Sequence, residues 1–129
     1  MKNFRLTEKE MNAVAERVPT PFLVASLDKV EENYQFMRQH LPRAGVYYAM
    51  KANRFAPLLT FLKQTGLCGI DACSPAEVEH AVSCGFAADE ISFTASSLSS
   101  RDLAVLARYE GVFMDCDSLH AICAWGKLK

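Results

Sequence analysis

Four short apolar stretches recur at a nearly constant interval, and they leave few folds open to this chain. They begin at Val46, Gly69, Ile91 and Val112, with spacings of 23, 22 and 21 residues. Val46–Met50, Gly69–Cys73, Ile91–Thr94 and Val112–Asp115 are too short for helices and rich in β-branched or aromatic residues. They read as buried strands. The segments between them carry helix start and stop signals. Pro57 opens one helix, with Leu58, Leu59, Phe61 and Leu62 as its apolar side and Gly66 as its stop. Ser74-Pro75-Ala76-Glu77 is a full helix start, with a serine cap, a proline in the first turn and a glutamate to close the box. Gly85 ends that helix. Ser99 or Ser100 caps a third, which carries Leu103, Val105 and Leu106 and stops at Gly111. Asp117 or Ser118 caps the last, which runs to about Trp125.

Strands alternating with helices at this short period are parallel strands joined by helical crossovers. The fold class is α/β. Two architectures fit: a doubly wound open sheet, or a segment of a (βα)8 barrel. A barrel takes about 250 residues. Four βα units make half of one.

Upstream of this rhythm, residues 1–18 read as a leader and a short amphipathic helix, with Leu6, Met11, Val14 and Val18 near helical spacing. Pro19 and Pro21 stop it. Phe22-Leu23-Val24-Ala25 reads as a short strand. Asp28 and Glu31 have capping-box spacing and start a helix with an apolar stripe of Leu27, Val30, Tyr34, Met37 and Leu41. Pro42 and Gly45 end it.

Composition removes several function classes. Lysine and arginine number 14 against 15 acidic residues, a net charge of −1. That balance offers no electrostatic footprint for nucleic acid or an anionic membrane. The N-terminal stretch is charged, unlike a secretory signal, and no apolar run nears the roughly 18 residues that span a bilayer. Cys68, Cys73, Cys84, Cys116 and Cys123 are odd in number and lack CxxC spacing. Neither a zinc site nor a disulfide framework is expected, and scattered thiols suit a reducing cytosol. His40, His80 and His120 fall in expected helices without metal-ligand spacing and read as surface or packing residues.

Polar residues stand where each strand hands over to its helix: Lys51 and Asn53, Asp71 and Ser74, Thr94 and Ser96, Asp115 and Asp117. In parallel α/β folds that edge is the functional face. Lys51 stands out, because Val46-Tyr47-Tyr48-Ala49-Met50 runs straight into it. Lysine is almost never fully buried without a partner. On the strand alone it is a strand-end lysine whose ammonium escapes to water. The alternative is chemical: a desolvated lysine amine is a nucleophile able to form Schiff bases.

These residues carry a resemblance. Tyr48-Ala49-Met50-Lys51-Ala52-Asn53 resembles the Y-A-x-K-A-N signature of the fold-type III pyridoxal-phosphate-dependent decarboxylases, the diaminopimelate, ornithine and arginine decarboxylases with an alanine-racemase-like barrel. Thr20-Pro21-Phe22-Leu23-Val24 is similar to the opening T-P-x-x-V strand of that family. Gly69-Ile70-Asp71-Ala72-Cys73-Ser74-Pro75-Ala76-Glu77 resembles its second barrel strand. Ile91–Thr94 and Met114–Ser118 resemble the third and fourth.

The resemblance implies that residues 19–129 are the N-terminal part of a pyridoxal phosphate (PLP)-binding barrel. It implies that Lys51 forms the Schiff base with PLP. Asp71, Ser74 and Glu77 match positions lining the cofactor pocket, and Asn53 matches the signature asparagine. Thr94 and Asp115 receive no more than a place at the pocket rim. Ser74 and Glu77 also suffice as a helix cap, and Asp71 as a turn cap. The implied activity is decarboxylation of an amino acid, diaminopimelate first, by a cytoplasmic homodimer. Ornithine, lysine or arginine decarboxylation is the near rival, and racemisation on the same fold is a second. A non-catalytic truncated or split homologue is a third. Family members are much longer, and their missing part carries the phosphate loop, the barrel's remaining strands and a C-terminal β-domain. The chain by itself is therefore expected to be inactive. The stretch Ala95–Ser100 departs from the family's loop, with Leu98 where a lysine is common.

Overall fold

The computed structural model describes residues 5–128; residues 1–4 of the expected leader and Lys129 lie outside the described residues. The chain divides into two compact units, Met1–Pro42 and Arg43–Lys129.

The first unit holds α1 (Glu8–Ala15) and α2 (Leu27–His40). Thr7 starts α1 through a capping box: its hydroxyl oxygen accepts the Glu10 N–H at 3.3 Å, and Glu10 Oε2 accepts the Thr7 N–H at 2.8 Å. α2 starts before the expected Asp28, because the Ser26 hydroxyl accepts the Lys29 N–H at 3.2 Å. The strand expected at Phe22–Ala25 does not form among the described residues. A strand needs a ladder partner for its N–H and C=O groups, and apolar patterning alone does not provide one.

The second unit repeats strand and helix: β1 (Tyr47–Ala49), α3 (Ala56–Thr65), β2 (Gly69–Ala72), α4 (Pro75–Ser83), β3 (Ile91–Thr94), α5 (Ser100–Leu106), β4 (Phe113–Asp115) and α6 (Leu119–Gly126). The strands form one parallel sheet in the order β1-β2-β3-β4. Serine caps set the helix starts: Ser74 for α4, Ser99 for α5 and Ser118 for α6. Gly66, at φ +62°, ends α3 in the left-handed conformation that glycine adopts without a Cβ penalty.

Successive strand residues point to opposite faces of the sheet. Ile70, Ala72, Ile91 and Phe93 share one face and are fully buried. Against them lie Leu58, Leu59 and Leu62 of α3, Val78 and Ala81 of α4, and Leu103 and Leu106 of α5. The other face carries Asp71, Ser92, Thr94, Phe113 and Asp115, all half-buried or exposed. A doubly wound sheet has helices on both faces. One covered face and a sequential strand order are the arrangement of a barrel segment, so the second architecture is the one adopted. Among the described residues no helix is long and apolar enough to cross a membrane.

Two details fix the β1–β2 side. Gly69 pairs in register with Tyr47, and a Cβ on it would lie 2.6 Å from the Glu90 carbonyl oxygen and 2.7 Å from the Tyr47 ring. Backbone and aromatic ring close on the same point, so no side chain fits there. Close by in sequence, Lys63 Nζ pairs with Glu90 Oε2 at 2.6 Å, and the same oxygen accepts the Ala87 N–H at 2.7 Å. The Lys63 ammonium, then the Ala87 N–H, hold the Glu90 carboxyl below the usual carboxylate range.

Replacing Gly69 by alanine should lower unfolding stability by about 1–3 kcal/mol, the cost of overpacking, measured from the denaturant midpoint at unchanged slope. Glu90→Gln should have a smaller, pH-dependent effect. The depressed carboxyl contributes stability above its unfolded-state value, and that contribution disappears as pH falls through its folded value. Both partners are more than a third exposed or nearly so, so the deficit at neutral pH should stay under about 1 kcal/mol. It should vanish in acid. A deficit independent of pH would sink this reading.

Candidate functional site

The C-terminal ends of the four strands gather the polar residues singled out above. β1 runs through Ala49 into a single 3-10 turn, Met50–Ala52. Met50 is fully buried while Lys51, its neighbour, is exposed. The burial of Met50 anchors the turn and leaves the Lys51 amine free to reach outward. Among the described residues Lys51 has neither a hydrogen bond nor an ion pair.

The turn is held on its far side by two hydrogen bonds. The Tyr48 hydroxyl donates to the Asn53 carbonyl at 3.1 Å, so the first and last residues of the lysine-bearing signature are tied across Lys51. Burial first, and then the charge of Cys68, pushes the Tyr48 hydroxyl above its usual value, which keeps it a neutral donor. One residue on, a ring N–H at His80 Nε2 on α4 donates to the Arg54 carbonyl at 2.9 Å. The Asn53 side chain turns the other way: its Oδ1 accepts the Phe55 N–H at 3.0 Å and shapes the entry to α3.

Asp71 pairs in register with Ala49, two residues before Lys51. The charges of both Lys51 and Asp71 reach the thiol of Cys73. The Thr94 hydroxyl lies 3.0 Å from Asp71 Oδ1 and 3.0 Å from Asp115 Oδ2, so three neighbouring strands are linked by one hydroxyl. An open cleft of about 440 Å³ lies beside this bridge, lined by Cys73, Thr94, Ala95, Ser96, Asp115, Cys116 and Asp117.

Ser74 caps α4 as its sequence announces, its hydroxyl oxygen accepting the Glu77 N–H at 3.3 Å. Glu77 does not close the expected box on Ser74. It is buried, and its Oε2 accepts the Cys73 N–H at 2.8 Å and the Cys73 thiol at 3.2 Å. The glutamate therefore binds the residue before the cap, at the junction of β2 and α4. Donation to that carboxylate, aided by burial, raises the Cys73 thiol above its usual value. Cys73 is thus a partner of the buried acid.

The structure brings Lys51, Asp71, Ser74 and Glu77 to one edge of the sheet. It adds Tyr48 and Cys73, together with His80, expected as a surface or packing residue, and Thr94, expected at the rim. Thr94 stands in register with Asp115 and two positions beyond the partner of Asp71, a placement set by strand pairing and by no local sequence pattern. Among the described residues no cluster of three His, Cys, Asp or Glu could hold a metal ion.

The site does fit a carbonyl cofactor. An exposed amine without an ion pair follows β1, the half-buried Asp71 lies on the paired strand, and an open cleft of ligand size lies beside the Thr94 hydroxyl that bonds Asp71. The raised thiol gives a direct check on the geometry. Cys73 should alkylate more slowly than the exposed Cys123 at neutral pH, and Glu77→Gln should accelerate Cys73 selectively, followed by mass spectrometry of the labelled peptides. Equal rates at Cys73 in both proteins would show that Glu77 does not hold the thiol proton.

Comparison with known proteins agrees with this geometry. The family described as pyridoxal-dependent decarboxylase, pyridoxal binding domain, matches residues 27–126. A lysine/ornithine decarboxylase from Selenomonas ruminantium is 65% identical over 79 residues, which cover 61% of this chain and 20% of that protein. A diaminopimelate decarboxylase from Methanothermobacter thermautotrophicus is 32% identical over 109 residues, 81% of this chain and 25% of that protein. A solved lysine decarboxylase from Selenomonas ruminantium superposes with a TM-score of 0.89 at 46% identity, over 98% of this chain and 33% of that one. The chain thus spans a third or less of the relatives it matches. With a family match over most of its length, the chain belongs to the pyridoxal-dependent decarboxylases, in their pyridoxal binding domain.

Proposed function

We propose that this chain is the cofactor-bearing part of a PLP-dependent amino-acid decarboxylase acting on lysine or ornithine. The observation that carries the reading is the exposed, unpaired Lys51 amine on a turn fixed by buried Met50 and by the Tyr48–Asn53 hydrogen bond. The 65% identity to a lysine/ornithine decarboxylase supports lysine or ornithine over the diaminopimelate first expected from the signature. A solved relative, SrLDC, is complexed with PLP and cadaverine, which is lysine without its carboxylate carbon.

When bound, PLP supplies an electron sink for the bond that loses carbon dioxide. The rest of the site's work falls to residues of this chain. Lys51 Nζ would hold the cofactor through its aldehyde group. Tyr48 and His80 hold the backbone beyond Lys51, which would keep the amine in one place. Asp71 places negative charge on the side of the site from which Lys51 reaches. Ser74 and Glu77 lock the β2–α4 junction, and with it the direction of Asp71. Asn53 fixes the exit from the lysine turn. Each of these roles at the cofactor is part of the proposal.

The reading extends to the assembled protein. Leu119 and Ile122 of α6 are exposed, and β4 is a sheet edge. Both require further protein around them to cover apolar surface and satisfy an open strand. We place these residues in a longer homodimeric enzyme. Five free thiols favour a reducing, cytoplasmic setting.

The test is carbon dioxide release from L-lysine and L-ornithine by the continuous protein bearing this segment. We expect release with cadaverine or putrescine as co-product, and a fall to background in Lys51→Ala and Lys51→Arg variants. The 129-residue chain alone should show no turnover. Interconversion of D- and L-amino acids without carbon dioxide would overturn the decarboxylase reading, and full activity in Lys51→Arg would overturn the role of Lys51.

A further inference from the structure

The hydroxyl between two carboxylates is the feature that the proposed function does not absorb. Thr94 Oγ1 sits 3.0 Å from an oxygen of Asp71 and 3.0 Å from an oxygen of Asp115. A threonine hydroxyl has one hydrogen, so it donates to one of the two at a time. Among the described residues it is the side chain that hydrogen-bonds Asp71. Ser74 and Glu77 fix the junction that follows β2, and Thr94 is the donor on the Asp71 carboxylate itself.

We propose that Thr94 is a positioning residue: its hydroxyl, shared between Asp71 on β2 and Asp115 on β4, sets the direction of the Asp71 carboxylate on the strand paired with the one that leads into Lys51. The inference deepens the cofactor reading and rests on it for the importance of Asp71. Three observations carry it. The first is the pair of hydrogen bonds. The second is register: Asp71 is paired with Ser92, Thr94 lies two residues beyond Ser92 on the same face, and Asp115 is paired with Thr94. The three side chains therefore share a face without any loop rearrangement. The third is that Thr94 lines the open cleft and touches Asp71 outside that lining. It joins the cleft to the Asp71 carboxylate.

A purely structural role for Thr94 is weak on physical grounds. Its side chain is exposed, and β3 is already fixed by Ile91 and Phe93, which are fully buried. Losing the hydroxyl should therefore leave the fold intact and free the carboxylate. Valine keeps the branched shape and removes the hydroxyl. Serine keeps the hydroxyl and removes the methyl group.

The experiment uses the continuous protein bearing this segment, with Thr94→Val and Thr94→Ser compared against it. The first readout needs no cofactor: the Hα–Hβ couplings of Asp71 in solution report its side-chain rotamer. One dominant rotamer is expected in the parent chain and in Thr94→Ser, and averaging among rotamers in Thr94→Val. The second readout adds pyridoxal phosphate, traps it with borohydride and maps the labelled lysines. The ratio of label on Lys51 to label on other lysines should fall about fivefold in Thr94→Val, the effect of one lost hydrogen bond, and recover in Thr94→Ser. The unfolding midpoint should be the same in all three. A single Asp71 rotamer in Thr94→Val, or an averaged one in the parent chain, overturns the inference. So does a Thr94→Val chain whose midpoint collapses while Thr94→Ser behaves identically. An ordered Asp71 in the parent chain together with indiscriminate labelling of lysines overturns the cofactor reading instead and leaves the positioning role standing.

Discussion

One face of one sheet is buried, and the rest of the molecule's chemistry follows from that asymmetry. Ile70, Ala72, Ile91 and Phe93 are withdrawn from water by helices on a single side. Because strand side chains alternate, each buried residue turns its neighbour to the other face. Asp71 is exposed to the opposite side because Ile70 and Ala72 are not, and Thr94 because Phe93 is not. The same alternation ends β1, where buried Met50 puts the exposed Lys51 beyond it. The functional edge is thus a consequence of core packing. A one-residue slip in register would send the acids into the helix layer and the isoleucines to the open face. Such a slip would bury carboxylates without partners, which is why the register is strongly specified.

The open face also explains the division of labour among the acids. Glu77 is the buried one, and it is satisfied by a backbone N–H and a thiol of the same residue, Cys73. A buried carboxylate with two donors stiffens the β2–α4 junction. Asp71 and Asp115 are not so enclosed, and they share a single hydroxyl donor. The first arrangement builds a rigid support, and the second leaves carboxylate oxygens available to the cleft. The two kinds of acid differ in their donors more than in their position along the chain.

Much of this was legible before the fold was known, and the boundary of legibility is physical. The period of the four strands, the cap at Ser74, the caps narrowed to Ser99 or Ser100 and to Asp117 or Ser118, of which the fold uses Ser99 and Ser118, and the stop at Gly66 are local signals, each decided within a few residues of itself. They held. Sequence reading failed where the deciding partner is not local. Phe22–Ala25 has a strand's composition and no strand beside it. Glu77 has a capping-box offset from Ser74, yet the carboxylate finds the Cys73 N–H instead. The Thr94 bridge spans 23 residues to Asp71 and 21 to Asp115, and no local pattern announces such a contact. Lys51 was found from an unusual juxtaposition, a cation at the end of an apolar strand. Its clamps were not, since the Tyr48 hydroxyl and the His80 ring look like ordinary packing groups until the turn is built.

The choice between barrel segment and open doubly wound sheet shows how little a sequence pattern says about the second face. Both architectures alternate strand and helix, and both place polar residues at the C-terminal strand ends. What separates them is which faces the helices cover, a property of crossover geometry rather than of any one segment. Here the strand pattern contains the answer in a weak form. A strand covered on both faces reads as a continuous apolar run, whereas β2 and β3 interleave Asp71 and Ser92 with isoleucine, alanine and phenylalanine. Those interleaved polar residues line a barrel's inner face near its mouth, where side chains from successive strands meet. The Asp71–Thr94–Asp115 bridge is such a meeting, made by three strands of the same sheet. It therefore belongs with the one-sided burial as a second, independent mark of the barrel arrangement, and it places the start of the site inside the sheet rather than on the loops alone.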